Sequence, residues 1–264
     1  PLAGLGTRLL PLTSVFAKEL LPINGKPGIE YILDECIEAG IEEVIFIISK
    51  KKLMIKKYFY NDKFYKNIIK RKNDPRIISE YKKILKYKKM IKFVFQDKPL
   101  GTGDAVLKTK KLIKNKYFLM LLPDDLIVKK NCSKSMMAIH KKFNSPVMAS
   151  MVVSKNDVSR WGIYNIKHKI NNQNFIIKNV IEKPSISEAP SNNAVIGRYI
   201  LPKTIFNKLS KLKPGKGKEF HITDAIQSLI KDNVKFIGHS FAGKYLDCGT
   251  MKGYINSNFE IAKI

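Results

Sequence analysis

Short apolar runs rich in β-branched residues alternate along this chain with segments of helical periodicity, and this alternation limits the possible folds more than any other feature. Residues 44–48, 93–95, 118–122 and 147–153 have the composition of buried strands. Helical patterns separate these runs, at residues 29–39, 103–113 and 133–143. Strands separated by helices predict an α/β fold with a Rossmann-like mixed, mostly parallel sheet that is flanked by helices.

The second half of the chain is less regular but continues the same alternation. Residues 179–182 and 196–201 resemble strands, whereas residues 202–212 and 222–231 resemble helices. The sequence contains no internal repeat and no low-complexity linker. We therefore expect residues 1–264 to form a single domain with insertions.

The formal charge of +27 raises the possibility of a nucleic-acid partner. However, the chain has 44 lysines and only five arginines, whereas nucleic-acid surfaces generally use the bidentate arginine side chain as well. Lysine, isoleucine and asparagine all have A/T-rich codons, so genome composition explains the excess without a polyanion. Residues 50–92 contain 17 Lys/Arg and three acids, and we interpret them as a basic helical insertion whose aromatic residues form a buried face.

Cysteine usage and hydropathy indicate in which cellular compartment the protein resides. The three cysteines are widely spaced and form no CxxC pair, so neither a disulfide framework nor a zinc site is supported. The longest apolar runs are too short to span a bilayer, and no leader pattern precedes the first glycines. We expect a cytoplasmic protein that does not insert into a membrane.

Polar residues follow several predicted strands at the point where each strand ends. They occur in LPDD (residues 122–125), VIEKP (residues 180–184) and LDCG (residues 246–249). In open α/β sheets, ligands bind at the carboxyl ends of the strands. These three segments are therefore the first places to look for a site.

The chain opens with a glycine loop, Gly4-Leu5-Gly6-Thr7-Arg8. The loop matches neither GxxxxGK[ST] nor GxGxxG. Its glycines permit close approach of the backbone to a phosphate, and Arg8 adds a permanent charge. A tight turn with a surface arginine explains the same residues, and taken alone the two interpretations are equally good.

A series of motifs extends this loop into a family resemblance. GxGTRxxPxT at residues 4–13 is followed by KELLPI, DECIEAGI, LPDD, EKP, APSNNAVIGRYIL, ITDAI and DCG. Their order and spacing resemble sugar-1-phosphate nucleotidylyltransferases, in particular the bacterial UTP–glucose-1-phosphate uridylyltransferases. The resemblance covers essentially the whole chain.

The resemblance implies the nucleotide-diphospho-sugar transferase type of fold and a specific reaction. Glucose 1-phosphate would attack the α-phosphorus of UTP in line, without a covalent enzyme intermediate, and Mg²⁺ would assist. It also implies a homo-oligomer, a dimer or a tetramer. Residues 250–264 would begin a C-terminal helical segment.

The same resemblance assigns roles to residues that match the family's motifs. Those expected to act on the phosphates are Arg8, Lys18 and Lys183, with Asp124 and Asp247 as Mg²⁺ ligands and Asp125 outside the site. Those expected to bind the nucleotide are Ala3, Gly4, Gly6, Thr7, Glu19, Gln96 and Gly101. Those expected on the sugar side are Gly162, Glu182, Gly197 and Glu219.

The chain departs from the family pattern at several positions. Ala17 replaces a proline, Gly28 replaces a larger aliphatic residue, and Thr102 and Asp104 replace a bulkier apolar residue and a histidine near the expected base pocket. Use of dTTP instead of UTP therefore stays open as an alternative. A second alternative, from the basic stretch at residues 50–92, is a non-catalytic polyanion-binding protein. Because family members have a central strand before the glycine loop, we also expect the natural protein to begin upstream of Pro1.

Overall fold

The computed structural model describes residues 1–215 and 218–264. In chain order, the strands and helices are β1 (Pro22–Ile23), β2 (Lys26–Pro27), α1 (Gly28–Glu38), β3 (Val44–Ile48), α2 (Leu53–Tyr60), α3 (Asp62–Lys72), α4 (Pro75–Met90), β4 (Ile91–Phe95), α5 (Thr102–Leu107), β5 (Tyr117–Leu121), β6 (Asp125–Val128), α6 (Cys132–Phe143), β7 (Val147–Val152), β8 (Gly162–Lys169), β9 (Asn174–Glu182), β10 (Asn193–Pro202), α7 (Ile205–Leu209), α8 (Ile222–Lys231), β11 (Ile237–Ser240), β12 (Lys244–Asp247) and α9 (Met251–Ile261).

The main sheet has six strands in the order β5-β10-β7-β11-β9-β8. The α/β class and the mixed sheet are confirmed, but the pairing within this sheet is mainly antiparallel rather than mostly parallel. β11 is parallel to β7, whereas β10 is antiparallel to β5 and β7, and β9 is antiparallel to β8 and β11. The connection between β8 and β9 is only a few residues long, and a connection this short joins antiparallel neighbours.

A second, two-stranded parallel pair consists of β3 and β4, which α2, α3 and α4 connect. The N-terminal segment runs beside this pair, because the Leu2 amide donates to the Ile47 carbonyl at 2.7 Å. An apolar cavity of about 610 Å³ lies between β3 and β5. Its lining includes Leu2, Phe46 and Met120. The cavity is mainly apolar, whereas the motif residues at the strand ends are charged.

The basic stretch at residues 50–92 is largely helical, and its aromatic residues divide between core and surface. Phe59, Tyr81 and Tyr87 are buried, which confirms the interpretation of a buried aromatic face for these three residues. Phe64 is 53% exposed. The lysines of this stretch therefore cover helices whose buried residues, among them Phe59 and Tyr87, join the hydrophobic core formed with α1 and β3.

Two predicted helices are shorter in the structure than in the sequence pattern. The pattern at residues 103–113 gives α5, which ends at Leu107 because the chain continues in turns, with the Thr109 hydroxyl donating to the Val106 carbonyl at 2.7 Å. The pattern at residues 202–212 gives only α7, because Pro202 still pairs with Tyr117 at the end of β10. In the part of the chain that the structure describes, no helix is long and apolar enough to cross a membrane.

Candidate active site

The glycine loop follows the N-terminal segment, whose Leu2 amide bonds to β3, and turns sharply at Gly6. Gly6 has a φ of +73°, which favours glycine, and a Cβ atom there would meet Thr13 Cγ2 at 3.0 Å. The Thr13 hydroxyl in turn donates to the Gly6 carbonyl at 2.8 Å. A Cβ atom at Gly4, in contrast, would meet nothing within 4 Å. The loop therefore keeps open space above Gly4, where a ligand can approach the backbone.

The two cations of this region, Arg8 and Lys18, both reach Asp124. Lys18 Nζ lies 2.6 Å from Asp124 Oδ2, and Arg8 Nη2 lies 3.3 Å from the same oxygen. Arg8 is on a short 3₁₀ turn that buried Leu9 anchors, and its side chain is 63% exposed. Lys18 is on a second 3₁₀ turn. One exposed and one half-buried cation therefore converge on one carboxylate.

Glu19, the neighbour of Lys18 in the same 3₁₀ turn, forms a buried ion pair with Lys52. Both carboxylate oxygens of Glu19 accept from Lys52 Nζ at 2.8 Å, and the Glu19 side chain has no exposed surface. Burial lowers the pKa of Lys52, and the neighbouring Glu19 opposes that effect. Both oxygens of the Glu19 carboxylate are thus paired with Lys52, and this ion pair fixes the turn that carries Lys18.

Asp124 and Asp125 are neighbours in sequence, but their carboxylates have different partners. Burial alone would raise the pKa of Asp124, yet the charges of Lys18 and Arg8 outweigh it and lower that pKa. Asp125 accepts from the Tyr245 hydroxyl and from the Gly197 amide, each at 2.8 Å. Its burial and the charge of Asp124 raise the pKa of Asp125 to about 6. Of the two, Asp124 is the one whose carboxylate contacts Arg8 and Lys18.

Asp247, at the end of β12, approaches the same place as Asp124. The Cys248 amide donates to the Asp124 carbonyl at 2.7 Å, which ties the two segments together. A Cβ atom at Gly249 would lie 2.7 Å from both Arg8 Nη2 and Asp124 Oδ2 and 3.2 Å from Asp247 Oδ1. Arg8, Asp124 and Asp247 therefore surround Gly249.

This arrangement fits a hard divalent cation. Two carboxylates converge, and carboxylate oxygen is the ligand type that Mg²⁺ prefers. In residues 1–215 and 218–264, no group of three or more His, Cys, Asp or Glu side chains is arranged to hold a metal ion. A cation here would depend on phosphate and water oxygens for the rest of its coordination, which is the usual situation for Mg²⁺ in nucleotide enzymes.

Three of the four expected sugar-side residues, Gly162, Glu182 and Gly197, occupy the β8–β9 hairpin and β10. Gly162 pairs with Glu182 across the hairpin, and a Cβ atom at Gly162 would lie 3.1 Å from Glu182 Oε2. Lys183 follows directly, with its amide donating to the Trp161 carbonyl at 2.9 Å. Its φ of +47° is unusual for a lysine, and such backbone conformations concentrate at functional sites. Glu182 and Lys183 are both exposed.

The expected base-side residues lie where β4 ends. The Gln96 amide donates to the Ile48 carbonyl at 2.9 Å, and Gln96 Nε2 donates to Asp104 Oδ2 at 2.8 Å and to the Gly101 carbonyl at 3.2 Å. Gly101, at a φ of +94°, packs so closely against residues 219–220 that a Cβ atom would lie 3.0 Å from Glu219 Cβ. The structure thus places Glu219, expected on the sugar side, against a residue expected on the base side.

Several residues that shape the site were not singled out from the sequence. Lys52 belongs to a run of lysines, Arg198 lies within a strand pattern, Glu35 belongs to a helical pattern, and Tyr245 precedes the segment LDCG. Their roles depend on partners 33 to 163 residues away, which no local pattern reports. Asp104 also shapes the site, and it was singled out from the sequence because it departs from the family pattern.

Comparison with known proteins places this geometry in a family. The family model for nucleotidyl transferases matches residues 2–264. The chain is 35% identical to a putative UTP–glucose-1-phosphate uridylyltransferase of Methanocaldococcus jannaschii, over 99% of the chain and 91% of that protein. It is 36% identical to a UTP–glucose-1-phosphate uridylyltransferase of Streptococcus pyogenes, over 99% of the chain and 87% of that protein.

Solved structures give the same result. A UDP-glucose pyrophosphorylase in complex with UDP-glucose superposes with a TM-score of 0.87 at 35% identity, over 100% of this chain and 97% of that one. A UTP-bound UGPase from Acinetobacter baumannii superposes with a TM-score of 0.89 at 30% identity, over 99% of this chain and 91% of that one. The chain therefore belongs to the nucleotidyl transferase family, and it is a nucleotidyltransferase.

Proposed function

We propose that this nucleotidyltransferase transfers a uridylyl group from UTP to glucose 1-phosphate, which gives UDP-glucose and pyrophosphate. The observation that carries the proposal is the convergence of Arg8, Asp124 and Asp247 around Gly249, with Lys18 paired to Asp124. Two cations and two carboxylates at one point suit a reaction between two phosphate-bearing molecules. The names of the relatives support the choice of UTP and glucose 1-phosphate.

The proposed chemistry is a direct displacement. A phosphate oxygen of glucose 1-phosphate forms a bond to the α-phosphorus of UTP, and the bond from that phosphorus to the bridging oxygen of the β-phosphate breaks. Pyrophosphate leaves with the electron pair, and no covalent enzyme intermediate forms. The nucleophile is already an anion, so the protein's task is to position two substrates and to stabilise charge.

Arg8 and Lys18 supply the positive charge for this step. The exposed guanidinium of Arg8 suits the β- and γ-phosphates, to which it can donate two parallel hydrogen bonds. Lys18 is better shielded and suits the α-phosphate or the leaving group. Phosphate oxygens would then take the place of Asp124 Oδ2 as the acceptor for both cations.

Asp124 and Asp247 would hold the divalent cation, which we propose to be Mg²⁺. When bound, such an ion neutralises phosphate charge and orients the triphosphate. The carboxylate of Asp124 is kept ionised, since the nearby cations lower its pKa. It is therefore ready to bind a metal ion without first losing a proton.

The nucleoside would lie against the glycine loop and the end of β4. The open space above Gly4 admits the nucleotide to the backbone of Ala3, Gly4, Gly6 and Thr7. Gln96 donates its Nε2 group to Asp104 and to the Gly101 carbonyl, which leaves Oε1 as an acceptor. A uracil ring carries a donor at N3 that matches this acceptor. Glu19 contributes by holding its turn.

The glucose phosphate would lie against the β8–β9 hairpin. Lys183 would bind its phosphate, and Glu182 would accept hydrogen bonds from glucose hydroxyls. Gly162 and Gly197 are close-packed positions beside this region: a Cβ atom at Gly162 would press on Glu182 Oε2, and one at Gly197 would collide with Leu122. We keep Glu219 as a further candidate for the sugar side, although it packs against Gly101.

One assay tests the proposal. Pyrophosphate release is measured with glucose 1-phosphate, Mg²⁺ and each nucleoside triphosphate in turn, and UTP should give the highest kcat/KM. Equal or better turnover with dTTP would favour the thymidylyltransferase alternative. Steeply salt-dependent DNA binding that survives Asp124→Ala, without pyrophosphate release, would favour the polyanion-binding alternative.

We further propose that the enzyme is a cytoplasmic homo-oligomer. Cys36, Cys132 and Cys248 are all free and buried, which suits a reducing compartment. On α9, Ile255 and Phe259 are each more than 60% exposed and lie one turn apart, and such an apolar patch suits contact with another subunit. Sedimentation analysis of the full chain measures the assembly, and a monomer at micromolar concentration would contradict it.

A further inference from the structure

Arg198 on β10 has no exposed surface and forms a buried ion pair with Glu35 on α1. Its Nε donates to both oxygens of Glu35 at 3.0 and 3.1 Å, and its Nη2 donates to Oε2 at 2.8 Å. Replacing a buried pair of this kind with apolar residues commonly leaves a protein equally stable. Stability alone therefore does not account for a charged pair at this position.

Nη1 of Arg198 donates to the neighbouring Gly197 carbonyl at 3.0 Å, and two further hydrogen bonds of the guanidinium reach the segment that carries Asp124. Nη2 donates to the Asp125 carbonyl at 2.6 Å, and Nη1 donates to the Leu122 carbonyl at 3.2 Å. These two carbonyls lie on either side of Asp124 in the sequence. One rigid guanidinium therefore holds the backbone on both sides of the proposed metal ligand.

The other contacts of the segment complete this arrangement. The Cys248 amide holds the Asp124 carbonyl, and the Gly197 amide holds the Asp125 carboxylate. The Asp124 side chain itself contacts Lys18 and Arg8, not Arg198. Arg198 therefore acts on Asp124 through the backbone only.

Glu35 orients the guanidinium and is itself fixed at the beginning of α6. Glu35 Oε1 accepts from the Ser133 amide and hydroxyl, and the Glu35 carbonyl accepts from Asn131 Nδ2 at 3.0 Å. The chain of contacts runs from α6 through Glu35 to Arg198 and then to the Asp124 segment. Lysine cannot replace arginine here, because its donors radiate from a single nitrogen and cannot span Glu35 and both carbonyls.

We propose that Arg198, oriented by Glu35, is a positioning residue that sets the direction of the Asp124 carboxylate toward the metal and the triphosphate. The inference rests on the proposed function in one respect, the role of Asp124 as a metal ligand. Residues that orient metal ligands from behind change metal affinity or activity by about 10- to 100-fold when they are replaced. The same range is expected for this pair.

The test uses Arg198→Lys and Glu35→Gln, with Glu30→Gln as the matched control. Glu30 is on the same helix and is 1% exposed, but it contacts Tyr58 and Lys83, away from Asp124. Mn²⁺ binding in the presence of UTP is followed by electron paramagnetic resonance, and the Mg²⁺ activation constant is measured separately. Thermal unfolding of each variant reports the structural cost.

The expected result separates position from stability. Arg198→Lys and Glu35→Gln weaken Mn²⁺ binding and raise the Mg²⁺ activation constant by at least about tenfold. Glu30→Gln lowers the melting temperature but leaves both metal constants as in the unchanged protein. Should Arg198→Lys fail to fold, the neutral double variant Arg198→Gln/Glu35→Gln avoids a lone buried charge and is expected to show the same metal defect.

Metal constants within about twofold of the unchanged protein in the folded variants would overturn the inference, because the pair would then be structural only. Failure of the proposed function has a different signature. The unchanged protein would release no pyrophosphate with any nucleoside triphosphate, while its Mn²⁺ binding would still report the effect of each substitution.

Discussion

Lys18 Nζ lies 2.6 Å from Asp124 Oδ2, although the two residues are 106 positions apart in the sequence. The cation proposed to bind phosphate is thus paired with the carboxylate proposed to bind metal. A metal ion and the Lys18 ammonium compete for the same oxygen, whereas a triphosphate gives each of them a new partner. Binding of metal and of UTP should therefore be mutually favourable.

Lys18→Met is expected to tighten Mn²⁺ binding without nucleotide by about tenfold, since it removes a positive charge beside the metal ligand. The same change should lower kcat by about 100-fold or more, because it removes charge stabilisation at the phosphates. Lys26→Met is the control, as Lys26 belongs to the same segment but contacts Asp34. Unchanged Mn²⁺ affinity in Lys18→Met would show that no competition exists.

Asp124→Asn is expected to reduce turnover by about 100-fold or more with the fold intact, because the amide keeps the shape of the carboxylate but not its charge. Asp97→Asn is the control. The Asp97 side chain is 72% exposed, and its substitution should leave turnover unchanged. Steady-state pyrophosphate release and circular dichroism give the two readings. Full activity of Asp124→Asn would remove this residue from the metal site.

Gly4→Ala is expected to affect UTP binding, whereas Gly197→Ala is expected to affect stability. A Cβ atom at Gly4 meets nothing within 4 Å, so the melting temperature should hold while KM for UTP rises, because the methyl group occupies the space proposed for the nucleotide. A Cβ atom at Gly197 would lie 2.5 Å from Asp125 Oδ2 and Leu122 Cβ, and overpacking of this kind costs about 2 kcal/mol or more. Thermal unfolding and UTP kinetics measure both effects. An unchanged KM in Gly4→Ala would contradict the proposed position of the nucleotide.

Asp104→Leu is expected to relax the choice of base. Asp104 accepts from Gln96 Nε2 at 2.8 Å, and without it only the longer bond to the Gly101 carbonyl, at 3.2 Å, holds the amide. The Gln96 amide can then turn and present its donors to the acceptor at N3 of cytosine. The ratio of kcat/KM for UTP to that for CTP should fall by about tenfold. Asp104→Asn retains an acceptor oxygen and should keep most of the discrimination. An unchanged ratio in Asp104→Leu would mean that Asp104 does not orient Gln96.

Lys183→Ala is expected to raise KM for glucose 1-phosphate by about tenfold or more and to leave KM for UTP nearly unchanged, because a phosphate loses its charged partner. Lys183 has a φ of +47°, so alanine keeps a strained backbone there. Lys183→Gly removes the side chain without that strain. An equal rise of KM for glucose 1-phosphate in both variants would show that the lost charge is the cause. A normal KM in Lys183→Gly would show instead that the backbone at this position is the cause.

Local sequence patterns were sufficient to predict which segments form helices and which form strands. They also located many of the polar residues at the ends of those elements. A buried run such as residues 44–48 reports its own burial, and the helical pattern at residues 29–39 corresponds closely to α1. The segments LPDD and LDCG follow predicted strands, and their aspartates converge in the structure. Periodicity gives such information because it depends only on which face of an element is covered.

Strand direction and side-chain partners were decided by the tertiary structure. The pattern of residues 196–201 predicts a strand, but not that β10 runs antiparallel to both of its neighbours β5 and β7. Nothing local distinguishes Arg198 from a surface arginine, or joins it to Glu35 and the Asp124 segment. The sequence by itself determined an α/β chain with charged residues at its strand ends. Only the packing of distant elements decided which of those charges meet, because the contacts of Arg8 and Lys18 with Asp124, and of Arg198 with Glu35, each join side chains more than 100 residues apart.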